Sequence, residues 1–143
     1  MFDQPDVDFL ILADRAESIG GKLYMMGGVW DQIGVIDFSK PVLFSIALGI
    51  LIPWNATNID HKLHVHLLDE DGNQLFGVEG GFKTGRPPQL APGSAQHSVL
   101  ALNISPVLPA TGTYRVEATI NEAATRTTSF YAFQAPQGSP TVL

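Results

Sequence analysis

From Tyr114 to Ile120 the chain alternates without a break. Tyr114, Val116, Ala118 and Ile120 are apolar, and Arg115, Glu117 and Thr119 stand between them. Period-two alternation is the pattern of a strand with one buried and one wet face. The preceding Leu108-Pro-Ala-Thr-Gly112 supplies turn residues, and Asn121-Glu-Ala-Ala124 reads as a short turn into a further strand, Thr125 to Phe133. A chain carrying this signal near its end is committed to a sheet with a dry side, and so to something that covers that side.

The same pattern recurs upstream. From His61 to Leu68, Leu63, Val65 and Leu67 share one face and Lys62, His64 and His66 the other. Asp69-Glu-Asp-Gly-Asn73 is an Asp-Gly turn signal, and Gln74 to Lys83 returns as a glycine-rich strand. Nearer the N-terminus, Phe9 to Ala13 and Lys22 to Met26 flank the Glu17-Ser-Ile-Gly-Gly21 turn as a hairpin. Gly27-Gly28 then breaks or bulges the run, and Val29 to Ile36 resumes extended structure. Val42 to Ile52, closed by Pro41 and Pro53, is uncharged and apolar. It falls short of the roughly 20 residues of a membrane span. Gly49 and the β-branched Ile46, Ile50 and Ile52 favour a central strand buried on both faces over a helix, the competing reading for a short apolar run whose periodicity is ambiguous. Thr84 to Ala95 is a Pro/Gly loop that cannot join a sheet interior, and His97 to Ile104 is another strand. No span reads as helical and no internal repeat is evident. The expectation is an all-β, single-domain antiparallel sandwich of about eight or nine strands over residues 1–133, with 134–143 a flexible C-terminal tail.

Composition narrows the function classes. With 45% hydrophobic and 15% charged residues, the chain is poorer in charge than the average of about 25%. That deficit implies two-sided burial or an exposed apolar patch used for assembly. The formal net charge is −6, and the eight Lys and Arg are scattered singly. Neither nucleic acid nor an anionic membrane is an expected partner, since both need clustered cations. There is no cysteine, so disulfides and thiolate metal sites are excluded. The acidic start, Met1 to Asp8, has no basic segment and the apolar Phe9–Ala13 is too short for a signal core, which makes the cytoplasm the expected compartment.

Residues with chemistry are few. His64 and His66 stand at i and i+2 on one strand face, a spacing that can hold a divalent metal if a third ligand joins them. His61 has the opposite parity; Asp60 and His97 are further contributors to weigh. The competing reading is a pair of solvent-facing residues on an amphipathic strand. Asp69 to Asn73 resembles part of a calcium loop, but Asp-Gly is equally the preferred hairpin turn. Trp54 in the polar Trp54–Asn58 loop, with Asn55, Asn58 and Arg86 of the Pro-rich loop, is the best candidate for a small-ligand or carbohydrate platform. No nucleophile elbow occurs, and Ser98 beside His97 points to the opposite strand face. No catalytic constellation and no cofactor are expected.

The blocks Asp8-Phe-Leu-Ile-Leu-Ala-Asp14, Gly21-Lys-Leu-Tyr-Met-Met-Gly-Gly-Val-Trp-Asp31, Pro53-Trp-Asn55 and Gly85-Arg-Pro-Pro88 resemble a family of short, functionally uncharacterised bacterial proteins over most of the chain. The family carries no activity or site to transfer. The run Leu-Pro-x-x-Gly-x-Tyr-x-Val is similar to the late strands of Ig-like and fibronectin-like modules, which implies an Ig-like sandwich and says nothing of function. The leading expectation is a non-enzymatic interaction or assembly module, a homo-oligomer among its forms. A ligand-binding sandwich at Trp54 and a metal site at His64/His66 are the alternatives.

Overall fold

The two cleanly alternating segments pair with each other. Strand β5 (His61–Leu68) runs antiparallel to β8 (Gly112–Ile120), with Val65 opposite Ala118 and Leu67 opposite Val116, so their apolar sets fall on one face. The computed structural model, which describes residues 4–136, builds two sheets around that pair. The other strands are β1 (Asp6–Ile19), β2 (Lys22–Gly28), β3 (Gln32–Val35), β4 (Phe44–Ile52), β6 (Gln74–Phe82), β7 (Gln96–Ile104) and β9 (Ala124–Gln134). One sheet has the order β2-β1-β4-β7 and the other β3-β9-β8-β5-β6. The expected nearly all-β, single-domain sandwich is what these strands form. A single 3-10 turn, Trp54–Ala56, is the one helical element among the described residues, and no helix there is long and apolar enough to cross a membrane.

The core lies between the sheets. Leu10 and Leu12 of β1, Phe44, Ile46, Leu48, Ile50 and Ile52 of β4, and Ile104 of β7 face Leu63, Val65 and Leu67 of β5 and Tyr114, Val116, Ala118 and Ile120 of β8. β4 is buried at every position but the half-buried Leu51, as expected of a central strand covered on both faces. A bulge between Val7 and Phe9 keeps Val7, Leu10 and Leu12 on the core side of β1. Ahead of β8, the Tyr114 hydroxyl donates back to the Ala110 carbonyl and accepts from the Ala110 N–H at 3.2 Å, tying the Leu108–Gly112 turn to the strand it feeds. Leu108 is fully buried beside it.

Three features differ from the expected layout. The pairing is antiparallel throughout except at β3, which runs parallel to β9 from Gln32/Tyr131 to Val35/Gln134. β9 therefore continues through Gln134, and the buried Ala135 donates its N–H to the Val35 carbonyl at 2.9 Å; residues 137–143 of the expected tail lie outside the described residues. The third difference is β1, which is fourteen residues long. Its first half, Asp6 to Ala13, pairs with β4, and its second half runs on past the start of β4, paired only with β2. Asn103 Nδ2 donates to the Ala16 carbonyl at 3.0 Å, and Ser18 Oγ donates to the Val99 carbonyl at 3.4 Å. These bonds hold the second half of β1 against β7. The β1–β2 hairpin is thus an arm added to the outside of the sandwich.

Candidate interaction surface

The structure brings Trp54 and Arg86 together. The Arg86 guanidinium carbon lies 3.9 Å from the centroid of the Trp54 ring. Its Nε donates to Thr57 Oγ1 at 2.6 Å and one terminal nitrogen donates to the Trp54 carbonyl at 2.9 Å. Asn58 takes a left-handed backbone (φ 61°) and its N–H donates to the Thr84 carbonyl at 2.7 Å. Asn55 is exposed on the same turn. These contacts clasp the Pro-rich loop to the 3-10 turn, and the cation covers one indole face that a sugar would otherwise stack on.

His64 and His66 also meet, with ring centroids 3.8 Å apart and planes tilted by 44°. Nδ1 of His66 bonds to Gln74 Oε1 at 2.9 Å. Among the described residues no three His, Cys, Asp or Glu side chains are placed to hold a metal ion. The other contributors are engaged elsewhere. His97 Nε2 sits 2.7 Å from Asp8, and Asp60 is 3.8 Å from Lys83. His61, on the opposite parity as expected, is buried. Its Nε2 bonds to the Ala56 carbonyl at 2.8 Å, so that nitrogen carries the hydrogen and Nδ1 accepts from Asn121 Nδ2 at 2.9 Å. Both ring nitrogens are therefore used to join β5 to two loops.

The acidic Asp69–Asn73 segment is a closed hairpin turn. One Asp69 oxygen accepts from the N–H groups of Asp71 and Asn73, both at 2.9 Å, and the other accepts from Asn73 Nδ2 at 3.1 Å. The Asn73 N–H is the chief cause that holds the Asp69 carboxyl below its ordinary value of 3.8. Asp37 is lowered in the same way by the Ser39 hydroxyl and N–H. A group whose folded pKa is depressed adds stability above its unfolded pKa and loses it as pH falls through the folded one. The Asp69 contribution to the β5–β6 hairpin should therefore be complete above about pH 4 and fade below it. Asn73→Ala removes only the Nδ2 donor and should raise the Asp69 titration midpoint slightly, whereas Asn73→Pro, which removes the N–H, should raise it more; equal midpoints for the two variants in carbonyl-carbon NMR would mean that the Asn73 N–H is not the chief cause.

An open depression of about 340 Å³ at the start of β6 is lined by Leu75, Phe76, Asn103, Ile104, Ser105 and Pro106. It contains no titratable side chain and so nothing that moves a proton.

The feature that stands apart is the β1–β2 arm. Ile19, Tyr24, Met25, Met26 and Val29 are all exposed, and Met26 and Val29 keep 74% and 77% of their surface in water. Scattered exposed apolar residues are ordinary; five on one hairpin and its exit are not. Val29 is stranger still, because its φ is +63°. A β-branched residue at a left-handed angle is strained by roughly 1–3 kcal/mol. Burial does not repay that strain, since the side chain is in water. The chain kinks here: Gly27 is also left-handed (φ 61°), where a Cβ would stand 2.3 Å from Asp14 Oδ2, and the Val29 N–H reaches the Leu12 carbonyl at 2.8 Å. Sequence reasoning took Lys22 to Met26 for an ordinary hairpin strand and passed over this surface. The available signal was Leu23-Tyr-Met-Met26, four apolar residues with no polar alternation.

Comparison with curated proteins finds no match. A family model does match, over residues 8–133, which takes in both sheets and the arm; the chain belongs to DUF6941, a family of unknown function.

Proposed function

We propose that this protein is a non-catalytic β-sandwich interaction module and that the β1–β2 arm is its binding element. The observation that carries the reading is the exposed apolar strip Ile19, Tyr24, Met25, Met26 and Val29, with a strained β-branched residue retained in it. The kink at Val29 gives its N–H a bond to the Leu12 carbonyl, but the side chain keeps 77% of its surface in water and gains nothing within the monomer, which supports a contact outside it for that apolar surface. The carboxylates held below their ordinary range, Asp37 and Asp69, are turn residues bonded to their own backbone, which favours a structural role for them over proton transfer. The Tyr114 corner and the strand order also support an Ig-like sandwich, in which the second half of β1 and β2 would be the addition that carries function.

The test uses a photoreactive phenylalanine analogue in place of Tyr24, irradiated in the cells that make the protein, with the same analogue at Thr127 as control. Defined adducts from position 24, absent from position 127, are the expected result. No adduct at position 24 removes the reading. A companion variant, Val29→Asn, should leave the monomer more stable by roughly 1 kcal/mol, because asparagine tolerates the left-handed angle, while the adduct yield falls. Equal yield from Val29→Asn would take the strained residue out of the contact.

A further inference from the structure

We infer that the partner of this arm is a second copy of the chain, joined edge to edge along β2 about a two-fold axis at Met25. The inference rests on the interaction-module reading and supplies its partner. It starts from the turn. Gly20 and Gly21 have φ values of 59° and 77°, the two left-handed residues of a type I′ hairpin. Such a turn is closed by a pair that exchanges both hydrogen bonds, here Ile19 and Lys22. Alternation then turns the backbone groups of Tyr24 and Met26 toward Glu17 and Arg15, and those of Leu23 and Met25 away from β1. Among the described residues β2 pairs with β1 alone, so this outward row is an open sheet edge.

Two such edges can join antiparallel about a residue whose N–H and C=O both point outward; Leu23 and Met25 both qualify, and Met25 stands at the middle of the Lys22–Gly28 strand. Placing the axis there sets Tyr24 opposite Met26 of the second copy, and Met26 opposite its Tyr24. These are the exposed side chains of one face, and aromatic–thioether contact is favourable. Lys22, the one charge on β2, falls opposite Gly28 of the second copy, so no like charges are opposed. Asp14, Arg15, Glu17 and Lys22 cancel, which leaves the arm neutral on a chain of net charge −6. Ile19, Tyr24, Met25, Met26 and Val29 are exposed on this hairpin and its exit, so the edge contact brings apolar side chains together and not charged ones. The remaining edges are less suited. β3 has only four residues, β6 carries Glu79 and three glycines, and β7 has β1 held against it. A contact that uses the same edge from both copies closes on itself and ends at a dimer.

The experiment is light scattering and sedimentation on the full chain. Twice the 15.4 kDa chain mass is expected for the wild type. Met25→Lys, which opposes two lysines across the axis, should raise the dissociation constant by about a hundredfold or more. The chain lacks cysteine, so Met25→Cys can form a disulfide only between copies. Mild oxidation should link Met25→Cys and leave Val78→Cys, on the opposite sheet's edge, unlinked. A wild-type monomer at millimolar concentration, a Met25→Lys variant that stays dimeric, or equal cross-linking at Val78→Cys each overturns the proposal. A wild-type monomer that still gives a defined Tyr24 photo-adduct with another protein removes the second copy and leaves the module reading in place.

Discussion

Phe130→Ala should lower the free energy of unfolding by about 3–5 kcal/mol, the range for deleting a buried phenylalanine. Phe130 is 2% exposed and stands at the centre of four rings. It stacks on Tyr114 with centroids 5.5 Å apart and planes 20° apart, and it meets Phe44 at 5.5 Å and Trp30 at 5.8 Å edge to face. Trp30 and Phe44 touch each other as well, at 5.6 Å. Removing the central ring leaves a space that none of the other three can close without giving up its own contacts. Trp30 is held in the cluster by packing alone, since its buried Nε1 has no hydrogen-bond partner among the described residues. The melting temperature should fall by roughly 10 °C. Tyr131→Ala, one residue on but 43% exposed, should cost under about 1 kcal/mol. Urea denaturation of the pair checks both, and comparable losses would mean that the ring cluster is not the centre of the core.

The strands that sequence periodicity located best are those with one wet face. β5 and β8 emerge with the expected faces, because each has a solvated side that forces alternation. β4 was legible for the opposite reason: both of its faces are covered, so it lost alternation and became an apolar run between prolines. The second half of β1 was hidden because Asp14, Arg15, Glu17 and Ser18 look like the approach to a turn, when they alternate along an arm with only a partial second layer, Ser18 on the side that bonds to β7. β3 was read as extended, but its parallel pairing with β9 depends on where the long return path lands, which no local pattern records. The site followed the same division. The shared face of His64 and His66 follows from parity alone, and so does the separation of His61 from them. Trp54 and Arg86 were candidates for one platform, but that the cation covers the indole could not be read, since 31 residues and two strands lie between them and the contact is made by loops without a period. The left-handed angle at Val29 was equally invisible, because it belongs to a kink between Gly27 and the Val29–Leu12 hydrogen bond, which no periodic pattern records.

Gly49→Ala should be destabilising by about 2–3 kcal/mol in the wild-type chain and neutral or stabilising in a Phe9→Ala background. Along the outer face of β4 the side chains are Ser45, Ala47 and Gly49, small enough for a second layer to lie on them. At Gly49 that layer is the ring of its cross-strand neighbour Phe9. A Cβ on Gly49 would stand 2.2 Å from Phe9 Cε2 and 2.7 Å from Cζ, distances that non-bonded carbons do not reach. The alanine variant must therefore push the ring off the sheet and give up its cover over β4. No left-handed backbone angle demands glycine at this position; the ring alone does. With Phe9 cut back to alanine the obstacle is gone, and alanine in a strand interior is worth roughly 0.5–1 kcal/mol over glycine through lost freedom of the unfolded chain. The same substitution should thus change sign between the two backgrounds, a coupling of about 2.5–4 kcal/mol in a double-mutant cycle read by denaturant unfolding. An equal cost in both backgrounds would place the requirement in the β4 backbone instead. It would also mean that the outer face of this sheet, against which the arm is held, is not organised by the ring of Phe9.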